Sequence, residues 1–169
     1  MAAKSYISPE TSTTWTDTGG DKLMDMGGLA NNAAVVGAYK DLGSGARADT
    51  FEVELFVNGF DANPTVGQTV DVFFAQSNAT TGFDGVLDAD PTSSTEGTLT
   101  DLDILPNLLY AGSAVVYQAS QTKNLKARFV VRLTSRYVAP VVVNRAGGAF
   151  ESTADAHKVV LIPIPQESQ

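Results

Sequence analysis

Alternation of apolar and polar side chains along short segments is the feature that most constrains how this chain can fold. Residues 50–58, TFEVELFVN, are apolar at every second position from Phe51 to Val57. Residues 125–135, LKARFVVRLTS, repeat the pattern. A period of two is that of a β-strand with one buried face, whereas an amphipathic helix needs a period of about 3.6. The pattern therefore predicts strands in both segments.

Other runs rich in β-branched residues raise the count to about eight short strands. Turn residues such as Asn58-Gly59 and Asn63-Pro64 separate them. Helix-forming sequence is limited to a turn or two, one of them interrupted by Pro106. We therefore predict an all-β fold, an antiparallel β-sandwich that is jelly-roll-like. The further runs are TVDVFFAQS (69–77), LLYAGSAVVYQAS (108–120), YVAPVVVN (137–144) and HKVVLIPIP (157–165).

Proline and glycine positions refine this prediction. Proline cannot donate to a strand ladder, so Pro140, Pro163 and Pro165 are expected at sheet edges or strand ends. Gly112, inside an apolar run, is expected to mark a β-bulge.

The first 20 residues differ from the rest of the chain. They are rich in Ser and Thr, show no periodicity and end in Gly19-Gly20. This predicts an extended N-terminal arm, residues 1–20, ahead of a single sandwich domain, residues 21–169. Tyr6 and Trp15 are apolar anchors that could order the arm on a partner surface, and an idle disordered tail is the alternative. We expect neither a secretory signal nor a membrane span, and therefore a soluble domain that is not exported.

Charge is distributed unevenly along the chain. The net charge of −8 disfavours nucleic-acid binding, because phosphate neutralisation needs clustered Lys and Arg. Residues 48–122 hold eleven acids and no Lys or Arg. From Lys123 to Arg145 the sign reverses, and no acid occurs there. The asymmetry must be satisfied either inside the fold or by a neighbouring molecule.

Three of the later cations form what we call the basic row: Lys126, Arg128 and Arg132. Their spacing of two and four places them on one face of a predicted strand. If that strand pairs with residues 50–58, these cations can pair with Glu52 and Glu54, each opposite-charge pair contributing about 0.2–1 kcal/mol. We favour this internal pairing, and contact with a partner is the alternative.

Residues 83–104, FDGVLDADPTSSTEGTLTDLDI, carry six acids and no cation. An EF-hand calcium loop needs glycine at its sixth position and glutamate at its twelfth. Counted from Asp88, these positions are Ser93 and Leu99, so the pattern fails. Asp88 and Asp90 still place two carboxylates close together, which leaves another kind of cation site open. We expect a surface excursion between strands that faces solvent or a neighbour, without a metal.

The sequence offers no assembled catalytic motif. Glu52 and Glu54 share a strand face and could serve glycoside hydrolysis on spacing alone. His157 is the only histidine, and the G-x-S-x-G turn that a Ser-His-Asp hydrolase needs is missing. The chain has no cysteine, so thiolate chemistry and a Cys/His metal site are excluded. We predict a protein that is not an enzyme and has no cofactor.

Three passages carry a resemblance to a known class of protein. They are VVGAYKDLGSGARADTFEVELFVNGFDANPTVGQTVDVFFAQS, FDGVLDAD and LPNLLYAGSAVVY. In a cysteine-free, acidic, all-β chain with an N-terminal arm, they resemble the head decoration (cement) proteins of tailed bacteriophages of jelly-roll or β-sandwich type. The likeness covers most of residues 20–165 as a style of sequence and includes no diagnostic motif.

The resemblance implies a non-enzymatic virion structural protein on the outer capsid surface, assembled in the host cytoplasm. Such proteins stabilise the capsid by binding the lattice of the major capsid protein, often as a homotrimer. It implies no active site, cofactor, nucleic-acid partner or membrane partner. Under it, Tyr6 and Trp15 anchor the arm on a capsid subunit, and the basic row, Lys126, Arg128 and Arg132, is a candidate protein interface.

Two alternatives come from other classes of function. A carbohydrate- or receptor-binding β-sandwich would stack sugars on exposed aromatics, with Phe60, Asp61 and Asn63, or Phe83 and Asp84, as candidates. A glycosidase that depends on Glu52 is the other alternative.

Overall fold

The computed structural model describes residues 5–6, 11–45, 47–164 and 167–168. This part of the chain forms twelve strands and one short 3-10 helix. The strands are β1 (Ser5–Tyr6), β2 (Thr13–Thr16), β3 (Lys22–Leu23), β4 (Ala33–Val36), β5 (Lys40–Asp41), β6 (Thr50–Val57), β7 (Thr69–Ser77), β8 (Leu109–Val115), β9 (Leu125–Arg132), β10 (Tyr137–Arg145), β11 (Lys158–Pro163) and β12 (Glu167–Ser168), and the helix η1 is Leu102–Asn107.

Ten of the strands build two sheets of five strands each. The first sheet has the order β3-β2-β11-β6-β9, and the second has the order β4-β10-β7-β8 with β5 also paired to β10. Within these sheets only the β2–β3 pair is parallel, and β1 pairs separately with β12. The predicted all-β sandwich is confirmed, with ten strands in its sheets instead of the roughly eight that the sequence indicated.

The main core lies between the two sheets and follows from the period-two pattern. Alternate residues of β6 from Phe51 to Val57, and of β7 from Val70 to Phe74, face the space between the sheets. The four residues named are essentially buried. Removing a side chain of this size from water contributes about 1.5–3 kcal/mol. The alternation that predicted these strands is therefore also what stabilises the sandwich.

A second core lies on the outer face of the second sheet. Residues 78–108, between β7 and β8, fold over this face; we call them the covering segment. Phe83, Leu99 and Leu105 from this segment are buried against β7 and β10. Strand β10 is consequently buried along both faces, except at Arg145. The expectation of a surface excursion over residues 83–104 is therefore wrong for its apolar residues, which bury a sheet face.

The N-terminal region also departs from expectation. Strand β2 lies between β3 and β11 in the first sheet, and Trp15 on it is fully buried. The indole N–H of Trp15 donates to the carbonyl of Ala38 at 2.7 Å. The prediction of an extended arm is therefore wrong for the part of residues 1–20 that contains Trp15. Four residues are too few to show a period of two, which is why the strand escaped the sequence pattern.

Pro140 lies in the middle of β10, a central strand, where an edge or strand end was expected. The neighbouring chain leaves the ladder there: β4 ends at Val36 and β5 begins at Lys40. The carbonyl of Pro140 accepts from the N–H of Gly37, and the missing proline N–H faces the interruption between the two strands. Pro163 ends β11 as expected, and Pro165 lies outside the described residues. The predicted bulge is confirmed: the β7–β8 register shifts beside Gly112.

Candidate interaction surface

The outer face of the first sheet carries the basic row. Strands β6 and β9 are antiparallel neighbours, with Glu54 directly opposite Arg128. The Arg128 guanidinium spans two carboxylates, Nη1 lying 3.1 Å from Glu52 Oε1 and Nη2 2.9 Å from Glu54 Oε2. The Lys126 ammonium lies 3.1 Å from Glu54 Oε1. The predicted internal pairing is confirmed for these residues.

Glu54 is the electrostatic centre of this arrangement. Burial alone would raise the pKa of its carboxyl, but hydrogen bonds and charge from Lys126 and Arg128 outweigh burial and leave the pKa below its ordinary value. The carboxylate is therefore ionised throughout the neutral range. A general acid for glycoside hydrolysis needs the opposite, a raised pKa. The arrangement suits an ion-pair network rather than proton transfer.

Arg132 completes the basic row with a partner that the sequence did not indicate. Its Nε donates to Asp49 Oδ2 at 2.8 Å, just before β6 begins. Across the face, the cations are the outermost charges: Lys126, Arg128 and Arg132 have side chains 52%, 57% and 73% exposed, while the Glu54 side chain is 11% exposed. An approaching molecule therefore meets the cations before the acids beneath them.

Strands β8 and β9 end their respective sheets on the same side of the sandwich and contact each other. We call β8, β9 and the loop between them the β8–β9 edge, residues 109–132. Gly112 and Phe129 set how closely the two strands approach, because a Cβ added at Gly112 would overlap the Phe129 ring. Strands β8 and β9 therefore approach closely at the corner where the two sheets meet.

Exposed large apolar side chains gather at this edge. Six such residues are found among the described residues, and four of them lie on the β8–β9 edge, each 54–65% exposed: Tyr110, Val115, Tyr117 and Val130. A fifth, Val66, is near by, because the N–H of Gly67 donates to the carbonyl of Val116. Tyr110 lies beside Phe73 on the outer face of the second sheet, whereas Val130 lies opposite Glu52 on the outer face of the first. The exposed side chains therefore flank the edge on both faces, and exposed apolar residues at a sheet edge are typical of protein contact surfaces. The sequence signal was present in the tyrosines, but pattern alone did not separate exposed from buried positions.

Trp15, one of the two predicted arm anchors, does not join this surface. Trp15 lies in the main core. Tyr6 lies in β1, paired with Glu167 of β12, and its side chain is outside the described part of the structure. Residues 1–4 and 7–10 likewise lie outside the described residues.

The aromatic platforms suggested for sugar binding are not exposed. Phe60 packs edge-on against Phe150 with ring centroids 5.7 Å apart, and Phe83 is fully buried in the second core. The side-chain oxygen of Asn63 accepts from the backbone N–H of Gln121. These residues serve the fold, so the expectation that they stack on sugars is wrong.

A shallow groove of about 400 Å³ lies at one end of the sandwich, and Asn58, Asp61, Gln121 and Glu151 help to line it. The buried His157 stands behind it. The Nδ1 atom of His157 accepts from the backbone N–H of Asn58, and its Nε2 lies 2.6 Å from the carbonyl oxygen of Glu151. Both ring nitrogens are engaged by backbone, so the histidine holds two loops together rather than serving as a base.

The acids of the covering segment are used to shape its backbone. Asp90 accepts from the N–H groups of Gly82 and Phe83, and Asp88 accepts from both the N–H and the hydroxyl of Thr100. The hydrogen bonds from Thr100 hold the pKa of Asp88 below its ordinary value. Asp101 caps the start of η1. These contacts are those of turns and caps, which short acidic side chains favour.

Among the described residues, no cluster of three or more His, Asp or Glu side chains is arranged to hold a metal ion. The described part of the chain contains no helix that is long and apolar enough to cross a membrane. A scan against known protein families finds no model that matches the chain, and no curated protein matches its sequence.

Proposed function

We propose that this chain is a non-enzymatic virion structural protein that decorates the outer surface of a phage capsid. It binds the lattice of the major capsid protein and stabilises the shell, and it self-associates, with a homotrimer as the expected form. The protein assembles onto the capsid in the host cytoplasm. This proposal rests on the resemblance described above and on the surface of the sandwich.

The observation that carries the proposal is the contrast between the two outer sheet faces. The covering segment closes the outer face of the second sheet with a second core. No described segment covers the outer face of the first sheet, and the basic row supplies its outermost charges, with Val130 exposed between Arg128 and Arg132. A broad, rigid face with cations on top suits docking on an acidic protein lattice. Many copies on one shell make weak individual contacts collectively strong.

The carboxylates on this face favour a binding role over a catalytic one. Glu52 and Glu54 are bridged by the single guanidinium of Arg128. A retaining or inverting glycosidase needs one carboxyl kept protonated, and a shared arginine opposes this. The glycosidase alternative therefore gains nothing from the geometry.

The test is occupancy on capsids assembled from the major capsid protein encoded with this chain. We compare wild type with Lys126→Gln/Arg132→Gln, which removes two outer cations and leaves Arg128 to bridge its carboxylates. The control, Lys22→Gln/Lys40→Gln, removes two cations from the opposite side of the first and second sheets. We expect the basic-row variant to need a roughly tenfold higher concentration for half occupancy, about 1.4 kcal/mol, and the control to match wild type.

Two results would overturn parts of the proposal. Equal occupancy of the two variants would exclude the basic row as the docking face. Failure of the wild-type protein to bind the capsids would reject the decoration function itself. Measuring the occupancy of the wild-type protein on capsids at low and at high salt gives an independent check. Docking through exposed charges should weaken as the salt concentration rises.

One observation favours a second candidate function, carbohydrate or receptor binding. Tyr117 is 64% exposed, and its hydroxyl lies 3.5 Å from the carbonyl of Asn124, a residue that lines the 400 Å³ groove. An exposed tyrosine beside amide and carboxylate groups is the arrangement on which sugars stack. A glycan array decides: a wild-type signal that Tyr117→Ala abolishes would support this function, and a signal no higher than background would reject it.

A further inference from the structure

The side of the sandwich opposite the β8–β9 edge is acidic. Strand β3 ends the first sheet at the side opposite β9, and β4 and β5 end the second sheet at the side opposite β8. In the first sheet, four inter-strand gaps of about 4.8 Å place β3 about 19 Å from β9. Five acids lie at or near this side, and we call them the acidic edge: Asp17, Asp21, Asp25, Glu96 and Asp155.

Charges at the acidic edge repel one another. Partial desolvation, with Asp25 and Asp155 near by, raises the pKa of Asp17. Burial, together with Asp25 and Asp17, raises the pKa of Glu96. Lys22 of β3 and Lys40 of β5 also lie at this side, and Lys22 interacts with Asp21 while its ammonium donates to the carbonyl of Ser93. The named acids outnumber these two lysines.

A groove of about 240 Å³ opens at this edge between β3 and the covering segment. Asp17, Asp21 and Ser94 are among its lining residues. A positive or aromatic side chain from another molecule would fit such a groove, because it would relieve the repulsion and bury apolar surface together.

The β8–β9 edge offers those groups. Residues 109–132 contain no acid, and Lys123 is exposed. The basic-row cations lie on the same edge but are paired with Asp49, Glu52 and Glu54, in or just before the neighbouring strand β6. Tyr117 and Lys123 are exposed on the loop that joins the two strands. One molecule thus carries a polar groove with Asp17, Asp21 and Lys22 in its lining on one side, and the exposed Tyr117 and Lys123 on the other.

We propose that this chain self-associates head to tail, the β8–β9 edge of one copy docking on the acidic edge of the next. A two-fold contact through the β8–β9 edge would bring the basic rows of two copies together, and a two-fold contact through the acidic edge would oppose carboxylates. A head-to-tail contact avoids both, and its repetition closes into a ring when the rotation allows. The inference rests on the self-association in the proposed function and names its surface, but it does not depend on a capsid.

The experiment uses the full chain alone, by sedimentation velocity over a range of concentrations. The edge variant is Tyr117→Ser/Lys123→Glu, and the acidic variant is Asp17→Lys/Ser94→Lys. The matched control, Lys158→Glu/Ile164→Ser, makes one charge reversal and one apolar-to-serine change on or next to β11, in the middle of the first sheet. Circular dichroism checks that every variant is folded.

We expect wild type and control to associate, and each of the other two variants to require a roughly tenfold or higher concentration, about 1.4 kcal/mol or more. Mixing the edge variant with the acidic variant should give one-to-one dimers that do not grow, because each partner keeps one intact surface. Normal association of the acidic variant alone would show a two-fold contact and overturn the inference. So would a monomeric wild type, or a mixture that stays monomeric.

Capsid binding is measured separately with the same proteins. A monomeric wild type that still occupies capsids would reject the head-to-tail contact and leave the decoration function standing. A wild-type protein that self-associates but does not bind capsids would reject the decoration function and leave the head-to-tail contact standing.

Discussion

Replacing Trp15 tests whether the N-terminal region belongs to the sandwich or serves as an arm for a partner. Trp15 is fully buried, and its indole N–H donates to the carbonyl of Ala38 at 2.7 Å. Trp15 belongs to the first sheet, and Ala38 lies between two strands of the second, so this hydrogen bond joins the sheets. Trp15→Phe removes the bond and keeps most of the ring.

The magnitude follows from the groups left behind. An unpaired buried carbonyl at Ala38 costs about 1–3 kcal/mol. The smaller ring adds about 1 kcal/mol of lost burial, estimated from the value per buried CH₂. Trp15→Phe should therefore destabilise the protein by about 2–4 kcal/mol, and Trp15→Ala by about 3–5 kcal/mol or more. For a chain of this size the first change lowers the melting temperature by roughly 5–15 °C.

Urea unfolding followed by far-ultraviolet circular dichroism measures the effect, because Trp15 is the only tryptophan and its loss removes the fluorescence probe. Tyr117→Phe is the control, since that ring is exposed. In wild type, acrylamide should quench the tryptophan fluorescence poorly. If Trp15→Phe and wild type have equal stability, and acrylamide strongly quenches the tryptophan fluorescence of wild type, Trp15 is not buried. The interpretation of this region as an extended arm would then stand.

Three further changes test the charges and the corner. Glu54→Gln should lower the free energy of unfolding by about 0.5–2 kcal/mol at neutral pH. Because the pKa of Glu54 is lowered in the folded state, the stabilisation by its carboxylate is present above the unfolded-state pKa and is lost as pH falls through the folded-state pKa. The melting temperatures of the variant and wild type should therefore converge in acid. Glu96→Gln should act in the opposite sense, because the raised pKa of Glu96 means that ionisation of its carboxyl opposes folding. The variant should have a higher melting temperature than wild type at neutral pH and the same melting temperature in acid. A lower melting temperature at neutral pH would contradict this. Gly112→Ala should destabilise the protein by about 1–3 kcal/mol in urea unfolding, because its Cβ overlaps the Phe129 ring; a neutral effect would show that β8 and β9 are not in close contact.

The burial found for Trp15 also changes how an arm can be tested. Deleting residues 1–18 would remove β2 from the middle of the first sheet and unfold the domain for reasons unrelated to a partner. Deleting residues 1–10 spares β2. The shorter deletion still removes β1 and its two-residue pairing with β12. If residues 1–10 contact a capsid, it should lower occupancy on capsids while changing the melting temperature little.

Period-two segments were the part of the fold that sequence could predict. In β6 and β9 the alternation specified the buried face, and the opposite charges on the other face favoured internal pairing of the basic row with Glu52 and Glu54 if the strands were neighbours. The structure shows that they are neighbours, with Glu54 beside Arg128. Both features are local and repeat over eight residues, so chance matches are few.

Elements that depend on distant contacts escaped the sequence. Strand β2 has only four residues and is ordered by β11, which is more than 140 residues away. The apolar residues of the covering segment show neither a strand nor a helix periodicity in the sequence, because they lie mainly in loops that pack on a sheet face. Pro140 lies in a central strand, although proline was expected at a sheet edge or strand end, because the neighbouring strand is interrupted opposite it. Nothing near Pro140 in the sequence indicates that interruption.

The candidate surface was predicted in part. The basic row and its pairing came from charge spacing, whereas the exposure of Tyr110 and Tyr117 follows from the ends of two sheets meeting on one side. Sheet order is a property of the whole topology. A local pattern therefore cannot distinguish a tyrosine at an open edge from one in a core.

The place of the last strands in each sheet has a consequence for synthesis of the chain. Strand β10 sits between β4 and β7, and β11 sits between β2 and β6. Neither sheet can close until β10 and β11 have been synthesised, so the apolar strands β6 and β7 emerge well before these two central partners. We therefore expect nascent chains to depend on slow collapse or chaperone shielding, and fragments that stop before Tyr137 to aggregate rather than fold.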